Sequence, residues 1–466
     1  MEALLQRTGV ALFALLFAGC GSLYTTPQSC SAPTWESTAA YDLGIIEMDD
    51  QGWLTNRSDA EHILEKLERT AAGQTTNIVV FVHGWHHNAN PCDCNLASFR
   101  RVLERLDQEA QLEVYRGARR ELAGDAEARV VGLYVGWRGR SLPKRLDYLT
   151  FWDRRPAAIR VGHGDLPGVL GRLQTIYDAG NRKKRGYTGL VSMGHSFGGQ
   201  VLFAAVSDLL KSRLGAVVPL TGQEGIPVRP IDGFGDLVVL VNAALDASVY
   251  HSIDAMTRHT AFSPLQAPVM MVVSSEGDRA NEKYFPIGRT FSIRHEPDGS
   301  PEQFQQKLRT LGWYLPQVTH CLSLEGGSSC YDTVQPDKPP AKMRKRRNAC
   351  DCPEADAIVF DRASAERNAG VWKSKVSIHG VEEPLMDHPE FMQLARTFSA
   401  VGTRFTALDQ LDPNNPFVVV KATREISDDH NDMFNPHLVD FLVRYAAGTQ
   451  LKRMSVRRLE ATERRP

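Results

Sequence analysis

Short apolar runs rich in valine recur along this chain, and each is followed by small or polar turn residues. Continuous runs of this kind are typical of strands that are buried on both faces of a parallel sheet. Patterns with helical spacing lie between them and alternate with the runs. The alternation predicts an α/β fold with a doubly wound, mostly parallel sheet. The strand-like runs are residues 77–82, 128–135, 189–193, 236–241, 268–273 and 417–421, and helical patterns include 60–71, 198–210 and 436–446.

One interval breaks this alternation. Between Asp278 and Phe417 strand signals are weak, and the sequence is dense in proline, glycine and charge. The interval includes the basic run 342–347, which is either a solvated segment or a contact for anionic lipid. We therefore expect a large insertion or cap before the last strand. The predicted boundaries are 41–290 and 411–450 for the two parts of the core, 291–410 for the insertion and 451–466 for a tail.

The first residues resemble a bacterial export signal. Residues 9–18 are apolar but too few to span a bilayer, and small residues then lead to Cys20. This resembles a lipobox, in which Cys20 becomes the lipidated first residue, although a plain secretory signal is the alternative. Gly21 after the cysteine resembles sorting to the outer membrane. The prediction is a signal peptide over 1–20, a tether over 21–40 and an outer-membrane lipoprotein that faces the periplasm.

The charge balance argues against one class of partner. The chain has 54 Lys and Arg residues against 55 Asp and Glu residues, so its formal net charge is -1. Proteins that hold nucleic acid present a basic surface to the phosphates. We therefore expect no nucleic-acid partner.

The sequence Gly194-His195-Ser196-Phe197-Gly198 matches the G-x-S-x-G nucleophile elbow, in which serine occupies a tight turn between a strand and a helix. A chain of this composition contains such a pattern by chance about 0.2 times, so the flanking sequence matters. Here an apolar run precedes the motif, and a helical pattern rich in Ala, Val and Leu follows it. We therefore predict that Ser196 is a nucleophile.

A serine hydroxyl becomes reactive when an imidazole removes its proton and an acid orients that imidazole. In chains with this elbow the acid and the histidine follow the serine. His430 follows the last strand-like run and is the predicted base, whereas His437 falls inside a helical pattern and is expected on the surface. Asp278, which follows the preceding run, is the predicted acid. The alternatives are Asp246 and then Glu276.

The reaction also needs backbone N–H groups that stabilise a developing oxyanion. The segment His83-Gly84-Trp85 directly follows the first strand-like run. The predicted donors are the N–H of Trp85 and that of Phe197, just after the nucleophile. We expect His83 to orient its loop and Arg138 either to form an ion pair or to bind an anionic substrate group.

Eight cysteines are present, at positions 20, 30, 92, 94, 321, 330, 350 and 352. Export would place them in an oxidising compartment, which favours disulfides. Two cysteines separated by one residue in an extended segment point to opposite faces, so Cys92 and Cys94 are expected to pair with Cys350 and Cys352. A zinc site that includes His86 and His87 is the alternative. Cys321 and Cys330 are expected to close a small loop, which leaves Cys30 over.

Several segments together resemble the α/β-hydrolase superfamily, specifically a bacterial esterase-like branch. The resemblance implies hydrolysis of ester or other acyl bonds, a small-molecule or lipid ester as substrate, and neither a metal nor an organic cofactor. A catalytically silent, surface-anchored binding module and an acyltransferase that uses the same acyl-enzyme remain alternatives. The segments are FVHGWHHNA (81–89), YVGWRG (134–139), FWDRRPAA (151–158), GHSFGG (194–199) and DHNDMFNP (429–436).

Overall fold

The computed structural model describes most of the chain from Thr34 onward. The described residues are 34–125, 127–139, 151–183, 185–218, 228–258, 260–293, 299–327, 330, 352, 355, 358, 397–398, 402–408, 412 and 414–463. The predicted signal peptide with Cys20, most of the tether with Cys30, and the basic run 342–347 lie outside them. Among the described helices, none is long and apolar enough to cross a membrane.

One mixed sheet of 11 strands forms the core, in the order β1-β2-β4-β3-β5-β6-β7-β11-β8-β10-β9. From β2 across to β8 every neighbouring pair is parallel, and antiparallel pairs occur at the two edges of the described sheet. The α/β class and the mostly parallel sheet are therefore confirmed. The strands are β1 (Trp35–Ser37), β2 (Tyr41–Met48), β3 (Thr76–Val82), β4 (Arg129–Trp137), β5 (Thr188–His195), β6 (Leu237–Val241), β7 (Met270–Ser275), β8 (His320–Leu324), β9 (Thr397–Phe398), β10 (Thr403–Ala407) and β11 (Phe417–Ala422).

Helices cover both faces of this sheet. Val238 and Leu240 of β6 pack in a cluster with α6, whereas Val239 and Val241 pack in a cluster with α10. Because both faces are covered, the central strands β6, β7 and β11 are buried at every position, which explains their apolar runs. The helices are α1 (Arg57–Gly73), α2 (Cys94–Ala110), α3 (Glu113–Ala123), α4 (Phe151–His163), α5 (Leu166–Asn181), α6 (Phe197–Gly215), α7 (Ala247–Arg258), a π-helical turn (Ala280–Tyr284), α8 (Phe285–Ser292), α9 (Pro301–Leu308) and α10 (Pro436–Glu463).

Three predicted boundaries need correction. The tether range 21–40 contains β1, and the tail expected from residue 451 is the continuation of α10. The range 291–410 contains α9 and three strands of the main sheet, so its described part is not a separate cap. The strand signal there is weak because β10 alternates buried and exposed positions and β8 carries His and Ser among its apolar residues.

The parallel strands bring their carboxyl ends to one edge of the sheet. Val82 pairs in register with Gly194, His195 with Val241, Val241 with Val273, and Val273 with Val420. The loops that follow β3, β5, β6, β7 and β11 therefore meet at this edge. Crevices at the carboxyl ends of parallel strands are the usual binding sites of such sheets.

Candidate active site

Ser196 occupies a sharp turn between β5 and α6. Its φ of 55° and ψ of -123° are unusual for a residue with a side chain. A Cβ atom at Gly198 would lie 2.2 Å from the carbonyl oxygen of Val82, and one at Gly194 would lie 2.6 Å from that of Gly198. The glycines of the motif are therefore needed for the close approach of strand and helix, which presents the Ser196 hydroxyl at the carboxyl edge.

The structure brings Ser196, His430 and Asp278 together in one chain of hydrogen bonds. The Nε2 atom of His430 lies 2.8 Å from Oγ of Ser196, and its Nδ1 atom lies 2.8 Å from Oδ1 of Asp278. The carboxylate must accept from Nδ1–H, which leaves the lone pair of Nε2 facing the serine hydroxyl. This is the arrangement that lets an imidazole take the serine proton.

Two further bonds hold the Asp278 carboxylate, which is fully buried. The backbone N–H of Asn281 donates to Oδ1 at 2.9 Å, and the side-chain amide of Asn281 donates to Oδ2 at 2.7 Å. Both carboxylate oxygens thus have partners without solvent, so the orientation of Oδ1 towards His430 is fixed by protein contacts.

The electrostatics of His430 favour its protonated form. Burial by itself would lower the pKa of His430, but the charge of Asp278 and the hydrogen bond to it outweigh burial and raise the pKa above its ordinary value. A raised pKa strengthens the imidazole as a proton acceptor and stabilises the imidazolium that forms during the reaction.

Asn242 holds the backbone of the His430 loop, a role that sequence reasoning missed. Its side-chain amide donates to the carbonyl oxygens of His430 at 3.1 Å and Asp429 at 3.3 Å. Its own Oδ1 accepts from the N–H of Ser275 at 2.8 Å. Asn242 has a φ of 47°, a left-handed conformation that asparagine tolerates better than most residues. The signal in the sequence was an asparagine directly after the apolar run of β6.

His195, the residue before the nucleophile, also holds this loop. Its Nε2–H donates to the carbonyl oxygen of His430 at 2.8 Å, and burial lowers the pKa of His195 well below its ordinary value. The ring is therefore neutral. Among the described residues its Nδ1 atom has no hydrogen-bond partner. His195 is thus a positioning residue, and the elbow motif gave no hint of this role.

The predicted oxyanion donors lie beside Ser196. A Cβ atom at Gly84 would lie 3.0 Å from Cβ of Ser196, so the loop after β3 packs directly on Ser196. The rings of Trp85 and Phe197 lie 5.9 Å apart. Phe197 is the first residue of α6, where backbone N–H groups have no partner within the helix. Both residues are therefore placed at the reacting end of the site.

His83 orients this loop, as expected from the sequence. It is fully buried and donates from Nδ1 to the carbonyl oxygen of Gly84 at 2.9 Å, while its Nε2 accepts from the N–H of Trp137 at 3.0 Å. Burial lowers the pKa of His83 to about 4, so the ring is neutral and can accept at Nε2.

Asp246, the alternative acid, has other partners. Its carboxylate pairs with Arg155 and lies 2.6 Å from Nε of Arg289. Asp246 therefore belongs to an ion pair and not to the chain of hydrogen bonds that reaches Ser196.

Arg138 forms an ion pair with Asp50, the first of the two roles expected for it from the sequence.

Glu276 and His437 lie outside this chain of hydrogen bonds. Glu276, the last alternative acid, is half-buried and donates its backbone N–H to the carbonyl oxygen of Ala422 at 2.9 Å, which joins β7 to β11. His437 is exposed on α10, as expected.

Disulfides link the two Cys-Asp-Cys segments. Cys94 is bonded to Cys352, and Cys321 to Cys330, so both predicted links are confirmed. Cys92 is also disulfide-bonded, and Cys350, the other cysteine of the second segment, lies outside the described residues.

A zinc site was the alternative for these cysteines. In the described part of the chain no group of three or more His, Cys, Asp or Glu side chains is placed to hold a metal ion. His87 instead bonds to the Asp93 carboxylate at 2.9 Å.

A buried lysine lies close to the site and was also missed. Lys421 of β11 is 1% exposed, donates to the carbonyl oxygen of Gly312 at 3.1 Å and lies 3.1 Å from the ring centroid of Trp313. Burial lowers the pKa of Lys421 to about 7, although the charge of Asp278 opposes this shift. The signal for Lys421 in the sequence was a lysine inside an otherwise apolar strand.

Comparisons of the chain with protein-family models, with curated proteins and with solved structures find no significant match. Function is therefore inferred from the geometry of the site alone.

Proposed function

We propose that this protein is a serine hydrolase of ester or other acyl bonds, built on the α/β-hydrolase fold. The observation that carries the proposal is the unbroken chain of hydrogen bonds from Asp278 through His430 to Ser196. The three residues follow β5, β7 and β11, in the chain order serine, acid, histidine that is typical of this fold.

In the first half-reaction, Oγ of Ser196 attacks the carbonyl carbon of the substrate while Nε2 of His430 takes the hydroxyl proton. Asp278 stabilises the imidazolium and keeps Nδ1–H directed away from the serine. The tetrahedral intermediate then expels the alcohol, which receives the proton from Nε2. The product of this step is an ester between Ser196 and the acyl group.

In the second half-reaction, water attacks the acyl-enzyme and gives its proton to His430. The same proton then returns to Oγ of Ser196 as the carboxylic acid leaves. In both tetrahedral intermediates the negative oxygen would accept hydrogen bonds from the N–H groups of Trp85 and Phe197. Donors fixed in this way are worth about 10²–10³ in rate each.

A fluorophosphonate probe tests the proposal, because it reacts with an activated serine regardless of the natural substrate. We expect stoichiometric labelling of the wild-type protein and none of Ser196→Ala. Ser212→Ala, which changes an exposed serine on the same helix, is the matched control and should label fully. Absence of labelling in folded wild-type protein would instead indicate a silent binding module. Labelling combined with acyl transfer to an alcohol in preference to water would indicate an acyltransferase.

We also propose that acylation of Cys20 anchors the protein to the outer membrane, with the hydrolase facing the periplasm. More than one acyl chain is needed for stable attachment, and lipoprotein processing supplies several. Cys20→Ser should move the protein from the membrane fraction to the soluble fraction. Continued membrane association of Cys20→Ser would contradict lipid anchoring at this residue.

A further inference from the structure

A cavity lies between the sheet and α10, on the face opposite α6. Its volume is about 120 Å³, and its walls are mostly apolar side chains of the strands and of α10. They include Val79, Met193 and Val239 from the sheet and Leu442 and Val443 from the helix. Ser196, His430 and Asp278 are not among its lining residues, so the cavity is separate from the candidate active site.

This cavity is partly open to the surface, and it is large compared with the voids of a packed interior. Protein cores contain few voids larger than a water molecule. An apolar cavity of about 150 Å³ in another protein stays dry and binds benzene. A partly open cavity of about 120 Å³ has room for a smaller apolar group, such as several carbons of an alkyl chain.

Buried charged groups surround one part of the cavity. Glu109 and Arg119 line it, close to the half-buried Tyr115, and Arg105 and Arg444 interact electrostatically with the same tyrosine. All four charged side chains are less than a tenth exposed: Arg105 5%, Glu109 4%, Arg119 7% and Arg444 3%. We call these four residues the charged end of the cavity.

The charged end has more positive than negative charge, and some of its polar atoms lack partners. Arg105 and Arg444 interact electrostatically with Glu109, and burial raises the pKa of Glu109, which weakens its negative charge. Arg119 interacts instead with Glu127 and Asp125, which are more exposed. Asp440 pairs with Arg105 but is more exposed. Among the described residues, Nε of Arg105, Nη1 of Arg444 and Oε2 of Glu109 have no hydrogen-bond partner. The unpartnered arginine nitrogens favour an anion nearby, and Arg119 is the arginine that lines the cavity.

We propose that this cavity binds a single-chain carboxylic acid of medium length. Its alkyl chain would lie between the sheet and α10, and its carboxylate would accept hydrogen bonds from Arg119. The apolar walls and the excess of buried arginine together favour an anionic amphiphile over a purely apolar ligand. The inference goes beyond the proposed hydrolase activity and does not depend on the catalytic residues.

Titration calorimetry with octanoate and octan-1-ol tests both halves of this proposal on the full protein. Octanoate should bind at one site. Ala446→Phe, which fills the cavity, should lower the affinity for octanoate about tenfold or more. Ala205→Phe makes the same change on the opposite face and should not alter binding. Arg119→Gln should weaken the binding of octanoate about fivefold or more but leave the affinity for octan-1-ol unchanged. Only the carboxylate of octanoate would form a charge-assisted hydrogen bond with Arg119 that the variant could lose. Arg120→Gln, an exposed neighbour on α3, should change neither.

Thermal unfolding provides a second measurement that does not require the Phe variant to fold. Ala446→Leu should raise Tm relative to wild type, because it fills part of an empty apolar space, and it should weaken octanoate binding. Absence of octanoate binding at millimolar concentration, or equal binding by wild type and Ala446→Leu, would overturn the proposal. If Arg119→Gln weakened the binding of octan-1-ol as much as that of octanoate, the assignment of the carboxylate to Arg119 would be overturned.

Discussion

The His430 loop and the Trp85 loop lie on opposite sides of Ser196 and are held by different means. The His430 loop is fixed by side chains of neighbouring strand ends, because Asn242 and His195 both donate to its backbone. The Trp85 loop leads into the start of α2, where Cys94 is bonded to Cys352, 258 residues away in the chain. The loop proposed for proton transfer is thus held by contacts within the core, whereas the loop proposed to supply the oxyanion donor depends partly on a distant covalent link.

Among changes that leave Ser196 in place, the largest effect should come from the acid on the proton-transfer side. Asp278→Asn should reduce turnover by about 10⁴-fold, because an amide would favour the wrong imidazole tautomer. Asp246→Asn should reduce turnover far less but lower the unfolding free energy by about 3 kcal/mol, since it removes the buried charge that pairs with Arg155 and Arg289. Turnover and thermal unfolding of the two variants check this, and the reverse ranking of turnover would move the acid to Asp246.

Asn242 tests whether contacts from the core really position the base. Asn242→Gly keeps a residue that tolerates the φ of 47° but removes both bonds to the His430 loop. We expect kcat to fall by about 10²-fold with little change in KM, since small misplacements of a catalytic group have effects of this size. An unchanged kcat, whether or not KM changes, would show that Asn242 is not needed to position His430.

The sequence predicted the strands of the central sheet well because they are buried on both faces and read as uninterrupted apolar runs. It missed β2, whose run contains Asp42, Gly44 and Glu47. The sequence favoured Asp278 over Asp246 as the acid but could not exclude Asp246, since both residues follow apolar runs. Only the structure shows that Asp246 is already paired with two arginines. The role of Asn242 depends on the approach of a loop far along the chain, which no local pattern encodes.

A smaller effect should follow from loss of the link on the oxyanion side. The double variant Cys94→Ala/Cys352→Ala should lower turnover about threefold to tenfold, less than the 10²–10³ expected for loss of a whole oxyanion donor. The path runs from the disulfide through Asp93, which bonds to His87 two residues beyond Trp85. Cys321→Ala/Cys330→Ala is the control, because that disulfide closes a short loop on β8. An equal loss of turnover in both double variants would remove the distinction between the two loops.

The smallest predicted effect is a shift in pH dependence. His430 must be neutral to accept the serine proton, and Asp278 raises its pKa. Activity should therefore be lost as pH falls, with a midpoint of kcat/KM above the ordinary histidine value of about 6.5. The profile of kcat/KM against pH gives this midpoint directly. A midpoint below 6.5 would mean that burial outweighs the charge of Asp278.

The activation of Ser196 is tested most directly by steady-state turnover of a short p-nitrophenyl ester, compared between wild type and Ser196→Ala at matched purity and thermal stability. We predict that the wild-type protein turns the ester over and that Ser196→Ala loses about 10³-fold or more of kcat, because the covalent route disappears with the nucleophile. Unchanged turnover by pure, folded Ser196→Ala would contradict the assignment of Ser196 as nucleophile and, with it, the role given to His430 and Asp278.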